Sequence, residues 1–285
     1  MPMKSGDMWQ SQQVPAAVET LQRAMAAIQS QQPDQAVRLA KDVLNKNPSH
    51  PNALHILGYA LLMQERPADA IQPLERAYRS LRDPAIETQL AIALRKAGRT
   101  HEALKRLARA SKKVPPFPAA IHEYGFVLHS LGRNDEAIEV LKTGIEFAPG
   151  MPELPILLGW IFHSRNDGAN AKLAFAQAVR SAPNHPDALY GMGLVLMDAG
   201  EFRLAAEHFQ QALTVNPGDQ EPRLYLGACL LELGQSGAAS VCLRQVTRGG
   251  PNFYGRALKI LTNSARGRFW LQPSHAAKFF KGERS

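Results

Sequence analysis

The sequence predicts an all-α solenoid of stacked helix pairs, and three ladders of residues support this prediction. Alanine recurs every 33 or 34 residues, and a ladder of alanine or glycine runs twelve residues ahead of it. Proline closes six of the seven periods. The two small-residue ladders are Ala36, Ala70, Ala103, Ala137, Ala171, Ala205 and Ala239, preceded by Ala24, Gly58, Ala91, Gly125, Gly159, Gly193 and Gly227. A fixed period of this length is typical of a stacked helical repeat.

The motif within one period is specific. The sixth period has Leu189, Met192, Gly193 and Leu196, followed by Ala205, Phe209, Ala212 and Pro217. This pattern resembles the tetratricopeptide repeat, a helix–turn–helix unit. The resemblance covers residues 17–253 and implies a right-handed superhelix whose first helices line a concave groove.

The residue types in the pattern have physical reasons. Alanine and glycine fit where two helices approach most closely, because a larger side chain would separate the backbones. Leucine, phenylalanine and methionine at helical spacing form the stripe that each helix buries. Proline ends the second helix of a unit because it cannot continue a helix interior.

The period divides the chain into an array with distinct ends. Residues 1–16 are polar and rich in glutamine, which predicts a disordered segment. The seven predicted units are 17–50, 51–83, 84–117, 118–151, 152–185, 186–219 and 220–253. Because a terminal repeat needs a cover for its last apolar face, we expect a capping helix at 254–266.

A basic aromatic tail, 267–285, follows the expected cap. It contains Phe269, Trp270, Phe279 and Phe280. Three roles stay open for it: packing under the end of the array, docking into the groove, and binding an external partner.

Composition narrows the class of protein. No 18-residue apolar run occurs, and the first residues lack the apolar stretch of a signal peptide, so we expect a cytoplasmic protein without a transmembrane segment. The composition and repeat style are typical of bacteria. Cys229 and Cys242 lack CxxC spacing, so we expect them to pack as small apolar residues.

Positive charge is concentrated in the third unit, within a net charge of +8. The basic patch consists of Arg95, Lys96, Arg99, Lys105, Arg106, Arg109, Lys112 and Lys113. A solvated helix face is the commonest reason for such a run. The alternatives are a docking patch for an acidic partner, an anionic membrane or a nucleic acid. Nucleic acid is disfavoured because no aromatic residues alternate with the basic ones.

The resemblance implies that a ligand binds in the groove along the first helix of each unit. Candidate groove residues lie at matched offsets i, i+4 and i+7, so each set shares one helix face. They are His55, Tyr59, His122, Phe126, His129, Trp160, His163, Tyr190 and Met197. The same offsets also include the apolar residues Leu62, Ile156, Leu194, Leu224, Ala228 and Leu231.

No motif for catalysis or cofactor binding is present, so we expect neither enzyme activity nor a cofactor. No cysteine or closely spaced carboxylate joins the groove histidines, and we expect no metal site. The residues of the family's carboxylate clamp are replaced by His, Thr, Ile, Tyr and Leu, which disfavours capture of a C-terminal carboxylate.

These observations favour a non-catalytic scaffold or adaptor that binds a peptide or helix of a partner protein in its concave groove. Three alternatives stay open. In the first, the chain is a self-associating or autoinhibited module that uses its tail and forms homo-oligomers. In the second, it is an accessory subunit of a membrane or envelope assembly and docks through the basic patch. The third and least favoured is an RNA-binding array.

Overall fold

A computed structural model describes residues 5–113, 116–247 and 251–263, and within these ranges the chain forms fifteen α-helices and no strand. The helices are α1 (Ser5–Gln29), α2 (Pro33–Lys46), α3 (Pro51–Met63), α4 (Pro67–Leu81), α5 (Pro84–Lys96), α6 (Thr100–Ala110), α7 (Pro118–Ser130), α8 (Asn134–Phe147), α9 (Glu153–Ser164), α10 (Gly168–Ser181), α11 (Pro186–Asp198), α12 (Phe202–Val215), α13 (Gln220–Glu232), α14 (Ser236–Thr247) and α15 (Pro251–Asn263).

Each of the seven predicted units holds one helix pair, from α1 with α2 to α13 with α14. Seven of the fifteen helices begin at a proline. This position suits proline because its fixed φ matches the helix and the amide hydrogen it lacks would have no partner there. The predicted all-α class of repeated helix pairs is confirmed.

The chain divides into two compact units, 1–140 and 141–285, and the division falls within α8. These are called the first and second unit below, and the seven periods of 33 or 34 residues are called repeats. In the first unit, each helix from α1 to α6 contacts the next one along the chain, and α3 and α7 both contact α5. In the second unit, helices α9 to α15 show the same kind of contacts, including α13 with α15. Contacts limited to near neighbours in the chain are those of an α-solenoid.

The glycine ladder forms the closest contact inside a helix pair. Gly58 of α3 faces Leu74 of α4, and a Cβ at this glycine would lie 2.5 Å from the Leu74 Cγ. Gly193 and Gly227 face Phe209 and Leu243 in the same way, at 2.6 and 2.8 Å. The glycine therefore leaves room for the large residue that the second helix inserts.

The turn between the two helices of a pair has a ladder of its own. One residue in each turn has a positive φ, and these are Gln31, Glu65, Gly98, Gly132, Asn166, Gly200 and Gly234. The left-handed conformation ends the first helix and lets the backbone reverse. Three of the seven positions carry a residue other than glycine, which strains the turn there.

Both ends of the array differ from the sequence prediction. Helix α1 begins at Ser5, so residues 5–16, predicted to be disordered, are helical; glutamine and methionine favour helix and extend the segment that follows. Helix α15 begins at Pro251, three residues before the predicted cap. Residues 264–266 and the tail 267–285, with Phe269, Trp270, Phe279 and Phe280, lie outside the described residues.

None of the described helices is both long and apolar enough to cross a membrane.

Candidate functional site

Two exposed aromatic rings mark the first-helix side of the first unit. Tyr59 on α3 and Phe126 on α7 are each 37% exposed, although both occur in helices whose other apolar residues are mostly buried. They occupy the same position in the second and fourth repeats, as the sequence predicts. Large rings that stay exposed on a rigid helix provide contact area for a partner.

Arg95 of α5 belongs to this side of the molecule. Its guanidinium carbon lies 4.7 Å from the centroid of the Phe126 ring, a cation–π distance, and its Nε donates to Glu123 Oε1 at 2.6 Å. Glu123 is buried, so the ion pair fixes the guanidinium over the ring. We call His55, Tyr59, Arg95, His122 and Phe126 the first-unit face.

The candidate groove histidines of the first unit all have partners. His55 Nε2 lies 2.8 Å from Gln89 Oε1, and burial lowers the pKa of His55 below its usual value. His129 Nδ1 lies 2.7 Å from Asn134 Oδ1. His122, which is half-buried, also has an interaction partner. The rings of His55 and His129 are therefore held in place by hydrogen bonds, and His55 is neutral at pH 7.

In the second unit the aromatic side chains form a continuous row. The ring centroids of Trp160 and Tyr190 are 5.9 Å apart, and those of Tyr190 and Tyr225 are 6.0 Å apart. Phe175 lies 5.0 Å from Trp160, and Phe209 lies 6.0 Å from Tyr190. Both phenylalanines are completely buried, whereas the three rings of the row are half-buried. We call Trp160, Tyr190 and Tyr225 the aromatic row.

Helix α15 extends the row through Arg256. Its Nη2 donates to Glu221 Oε2 at 2.7 Å, and its guanidinium lies 5.8 Å from the Tyr225 ring centroid and 5.5 Å from that of Phe253. Tyr190 donates its hydroxyl to the same Glu221 oxygen at 3.4 Å. The hydrogen bonds from Arg256 lower the pKa of Glu221, and burial raises the pKa of Tyr190.

The sequence missed Tyr225. It follows Tyr190 by 35 residues rather than 34, so it falls outside the repeated offset. The offset had instead selected Leu224 and Leu231, together with Leu62, Ile156 and Leu194, and all five are buried. They were wrong as exposed groove residues because their helices pack against neighbours on more than one side. The aromatic type of residue 225 was the available signal.

The other two predicted residues of the second unit have different environments. His163 lies 6.0 Å from the Trp160 ring and 2.9 Å from Asp198 Oδ2, beside a cavity of about 600 Å³ that Lys172 also lines. Met197 is half-buried against the apolar cluster around Phe209. Met197 therefore contributes packing as well as surface.

Most of the basic patch is paired with carboxylates. Five of its members make ion pairs: Arg95 with Glu123, Lys96 with Glu65, Arg99 with Glu102, Arg106 with Glu75, and Lys113 with Glu87. Lys105, Arg109 and Lys112 are exposed. Four of the five pairs join residues 26 to 31 positions apart, so the sequence alone did not indicate which carboxylates pair with the basic residues.

The cysteines behave as apolar residues. Both are free, and burial raises the pKa of the Cys229 thiol to about 12 and also raises that of Cys242. A thiol with so high a pKa carries little of the reactive thiolate at neutral pH. Among the described side chains, no three His, Cys, Asp or Glu residues are grouped as metal ligands.

Stacked helix pairs, the glycine-to-phenylalanine contact and the exposed first-helix side define a helical repeat protein of the α-solenoid class. Two family profiles described as tetratricopeptide repeat match the sequence, one over residues 94–161 and 196–262 and the other over residues 21–83. The chain belongs to the tetratricopeptide repeat family, and the resemblance seen in the sequence is confirmed. Repeats of this family generally act as scaffolds that bind protein partners.

Solved structures share this fold at low sequence identity. The human IFIT1 dimer with m7Gppp-AAAA is 17% identical, with a TM-score of 0.67, and the match covers 93% of this chain and 68% of that chain. The structure of pilF from Pseudomonas aeruginosa is 18% identical, with a TM-score of 0.55 and coverage of 86% and 97%. The Cut9–Hcn1 hetero-tetramer is 16% identical, with a TM-score of 0.57 and coverage of 92% and 55%. No curated protein matches the sequence.

Proposed function

We propose that this protein is a non-catalytic adaptor that binds a peptide or helix of a partner protein along its first helices. The observation that carries the proposal is the exposure of Tyr59 and Phe126 at equivalent positions of two repeats of the first unit. Burying such rings in a complex removes large apolar areas from water at little cost in side-chain entropy.

The first-unit face is preformed. Arg95 is held over the Phe126 ring by buried Glu123, and His55 is held by Gln89. A surface that is ordered before binding does not lose further conformational freedom in the complex. We therefore expect the partner segment to become ordered when it binds, while the first-unit face keeps its conformation.

The chemistry of the face favours a segment with apolar or aromatic side chains spaced along one side. Tyr59 and Phe126 supply apolar contact, and the guanidinium of Arg95 supplies positive charge beside Phe126. An amphipathic helix has this character. We place the adaptor in the cytoplasm. Its partner could also be a second copy of this chain, which the test below can detect.

The test is a comparison of partner capture by matched variants. The groove variant is Tyr59→Ser with Phe126→Ser. The control is Leu173→Ser with Leu204→Ser, which removes two exposed leucines from the second helices α10 and α12. Trp160 is left unchanged because its ring packs on buried Phe175, so that its loss would also damage the core.

Each protein is used as bait in the same cell lysate, and bound proteins are quantified by mass spectrometry. We expect at least one partner that the wild type and the control retain and that the groove variant loses. Circular dichroism checks that all three proteins are folded, and light scattering shows whether the partner is a second copy. Equal capture by the wild type and the groove variant would refute the proposal.

A further inference from the structure

A cationic cavity of about 330 Å³ opens in the first unit between the second helices α4 and α6. Five positively charged side chains line it: Arg79, Arg82, Arg106, Arg109 and Lys113. Three of these belong to the basic patch, and the other two come from the end of the preceding repeat. The sequence missed this grouping because 27 residues separate Arg82 from Arg109.

Two carboxylates line the same cavity and leave a surplus of positive charge. Arg106 Nη2 lies 3.3 Å from Glu75 Oε1, and Lys113 Nζ lies 2.7 Å from Glu87 Oε2. Five cations against two anions give a net charge of +3 around the cavity. Positive charges so close together repel one another, and an anion bound among them relieves that repulsion.

The two arginines at 82 and 109 are available for a ligand. Among the residues that the structure describes, neither makes an ion pair with a carboxylate, and both are exposed. The Arg79 side chain is 74% exposed, and its one carboxylate contact within the described part of the chain is with Glu75 at 4.0 Å. Three guanidinium groups can therefore turn towards a shared anion without giving up a strong ion pair.

Tyr78 organises the other side of the cavity. The Arg82 guanidinium carbon lies 5.6 Å from the centroid of the Tyr78 ring, and Lys113 Nζ lies 5.4 Å from it. Lys113 Nζ also lies 3.4 Å from the Tyr78 hydroxyl. Cations already occupy the surroundings of the ring, so it offers no free platform on which a nucleic-acid base could stack.

We propose that this cavity binds a phosphate monoester, presented as a phosphorylated side chain of a protein. A phosphoryl group of this kind carries a charge of about −1.5 to −2 at pH 7 and three acceptor oxygens. The planar guanidinium group of arginine can donate hydrogen bonds to two of these oxygens at once. Cavities that bind small ligands have volumes from about 300 Å³ upwards, so the space suits a small group. The site is lined by residues of α4, α5 and α6 and by Arg82 and Lys113 at their ends, and it includes no residue of the first-unit face.

The experiment is isothermal titration calorimetry on the whole chain with three probes. They are inorganic phosphate, a short capped peptide of glycine and alanine around a single phosphoserine, and the same peptide without phosphate. The cavity variant is Arg82→Gln with Arg109→Gln. The control is Arg180→Gln with Arg203→Gln, which removes two exposed arginines from α10 and α12 and so matches the loss of charge.

We expect the wild type and the control to bind phosphate and the phosphopeptide but not the unphosphorylated peptide. The cavity variant should bind both roughly tenfold or more weakly, because it lacks two charge-assisted contacts. Arg109→Lys should bind with intermediate affinity because it keeps the charge and loses the fork.

Three results would overturn the proposal. The first is that the wild type binds neither inorganic phosphate nor the phosphoserine peptide. The second is equal weakening in the cavity variant and the control, which would indicate net charge rather than the cavity. The third is a single-stranded RNA that binds the wild type more tightly than the phosphopeptide and competes with it, which would assign the cavity to nucleic acid.

Discussion

At the scale of single residues, the fold depends on how little space some positions leave. Phe175 is completely buried, with Gly159 on one side and Gly191 on the other. A Cβ on Gly191 would overlap the Phe175 ring. The ring cannot move away freely because protein interiors are close-packed, so only glycine fits at position 191.

This contact predicts that Gly191→Ala destabilises the second unit by about 1–3 kcal/mol, the usual cost of overpacking a core. Adding Phe175→Leu should recover part of the loss because the smaller side chain makes room. The control is Gly255→Ala in helix α15, where nothing lies within 4 Å of the new Cβ. This change should be neutral or stabilise by up to about 1 kcal/mol. Urea unfolding measures all three, and unchanged stability of Gly191→Ala would contradict the packing described here.

A second residue-scale feature is the strained turn at Gln31, whose φ is 56°. Glycine adopts this conformation without strain, and the third, fourth, sixth and seventh repeats use it there. We predict that Gln31→Gly stabilises the protein by a few tenths to about 1 kcal/mol, net of the added entropy of the unfolded chain. Gln72→Gly, in the middle of α4, should destabilise it by about 1 kcal/mol. Thermal unfolding compares the two, and the same sign for both would be inconsistent with turn strain.

Sequence reasoning succeeded at the repeated residues and failed at the unrepeated ones. The period predicted the close approach of Gly58, Gly193 and Gly227 because each recurs at one offset. It assigned no role to Gly191, which packs on Phe175, or to Tyr225, which stacks on Phe209 with ring centroids 5.9 Å apart. Each packs against a residue of the preceding helix pair, and a pattern averaged over repeats does not contain that information.

At the scale of elements, α15 packs against the last described helix pair of the second unit. Its buried Ala257 and Leu261 join the apolar cluster of Leu231 and Leu243, and Arg256 ties it to Glu221 of α13. A terminal repeat would otherwise expose an apolar face. The sequence predicts a capping helix over 254–266, and the described helix begins three residues earlier, at Pro251, which the sequence pattern assigns to the end of the preceding repeat.

The Arg256–Glu221 pair predicts a particular pH dependence. The folded pKa of Glu221 lies below its unfolded value of about 4.3, so the pair stabilises the fold at pH 7 and that contribution is lost as the pH falls through the folded pKa. Because both side chains are about one-third exposed, we expect Glu221→Gln to cost about 0.5–1 kcal/mol at pH 7. At about pH 3 the variant and the wild type should differ less. The exposed Glu207→Gln serves as the control, and a difference that stays constant from pH 7 to pH 3 would contradict the assignment.

At the scale of the whole molecule, the two units offer different surfaces. The first presents separate exposed rings, Tyr59 and Phe126, with Arg95 beside the second of them. The second presents the aromatic row, which is half-buried and continuous from Trp160 to Tyr225. We infer that the first unit supplies the anchors for a partner, because its rings are free of the core.

The sequence anticipated the array because its period is a property of the whole chain, whereas it misjudged the charge. The sequence has eight basic residues and few acids in the third repeat. The structure pairs five of these basic residues with carboxylates, and three of the five carboxylates lie in neighbouring repeats. Stacking brings together residues about 30 positions apart, and no local reading of charge captures that. The small cationic cavity is the part of the patch that this pairing leaves positive.

The central claim is that the first-unit face contacts the partner, and site-specific photo-crosslinking tests it most directly. A photo-reactive phenylalanine analogue replaces Phe126 in one protein and Leu204, an exposed residue of α12, in another. We expect irradiation in lysate to join a partner protein to position 126 and not to position 204, and unlabelled wild type to compete for it. Crosslinking at position 204 alone, or at neither position while the partner is still captured, would contradict the claim.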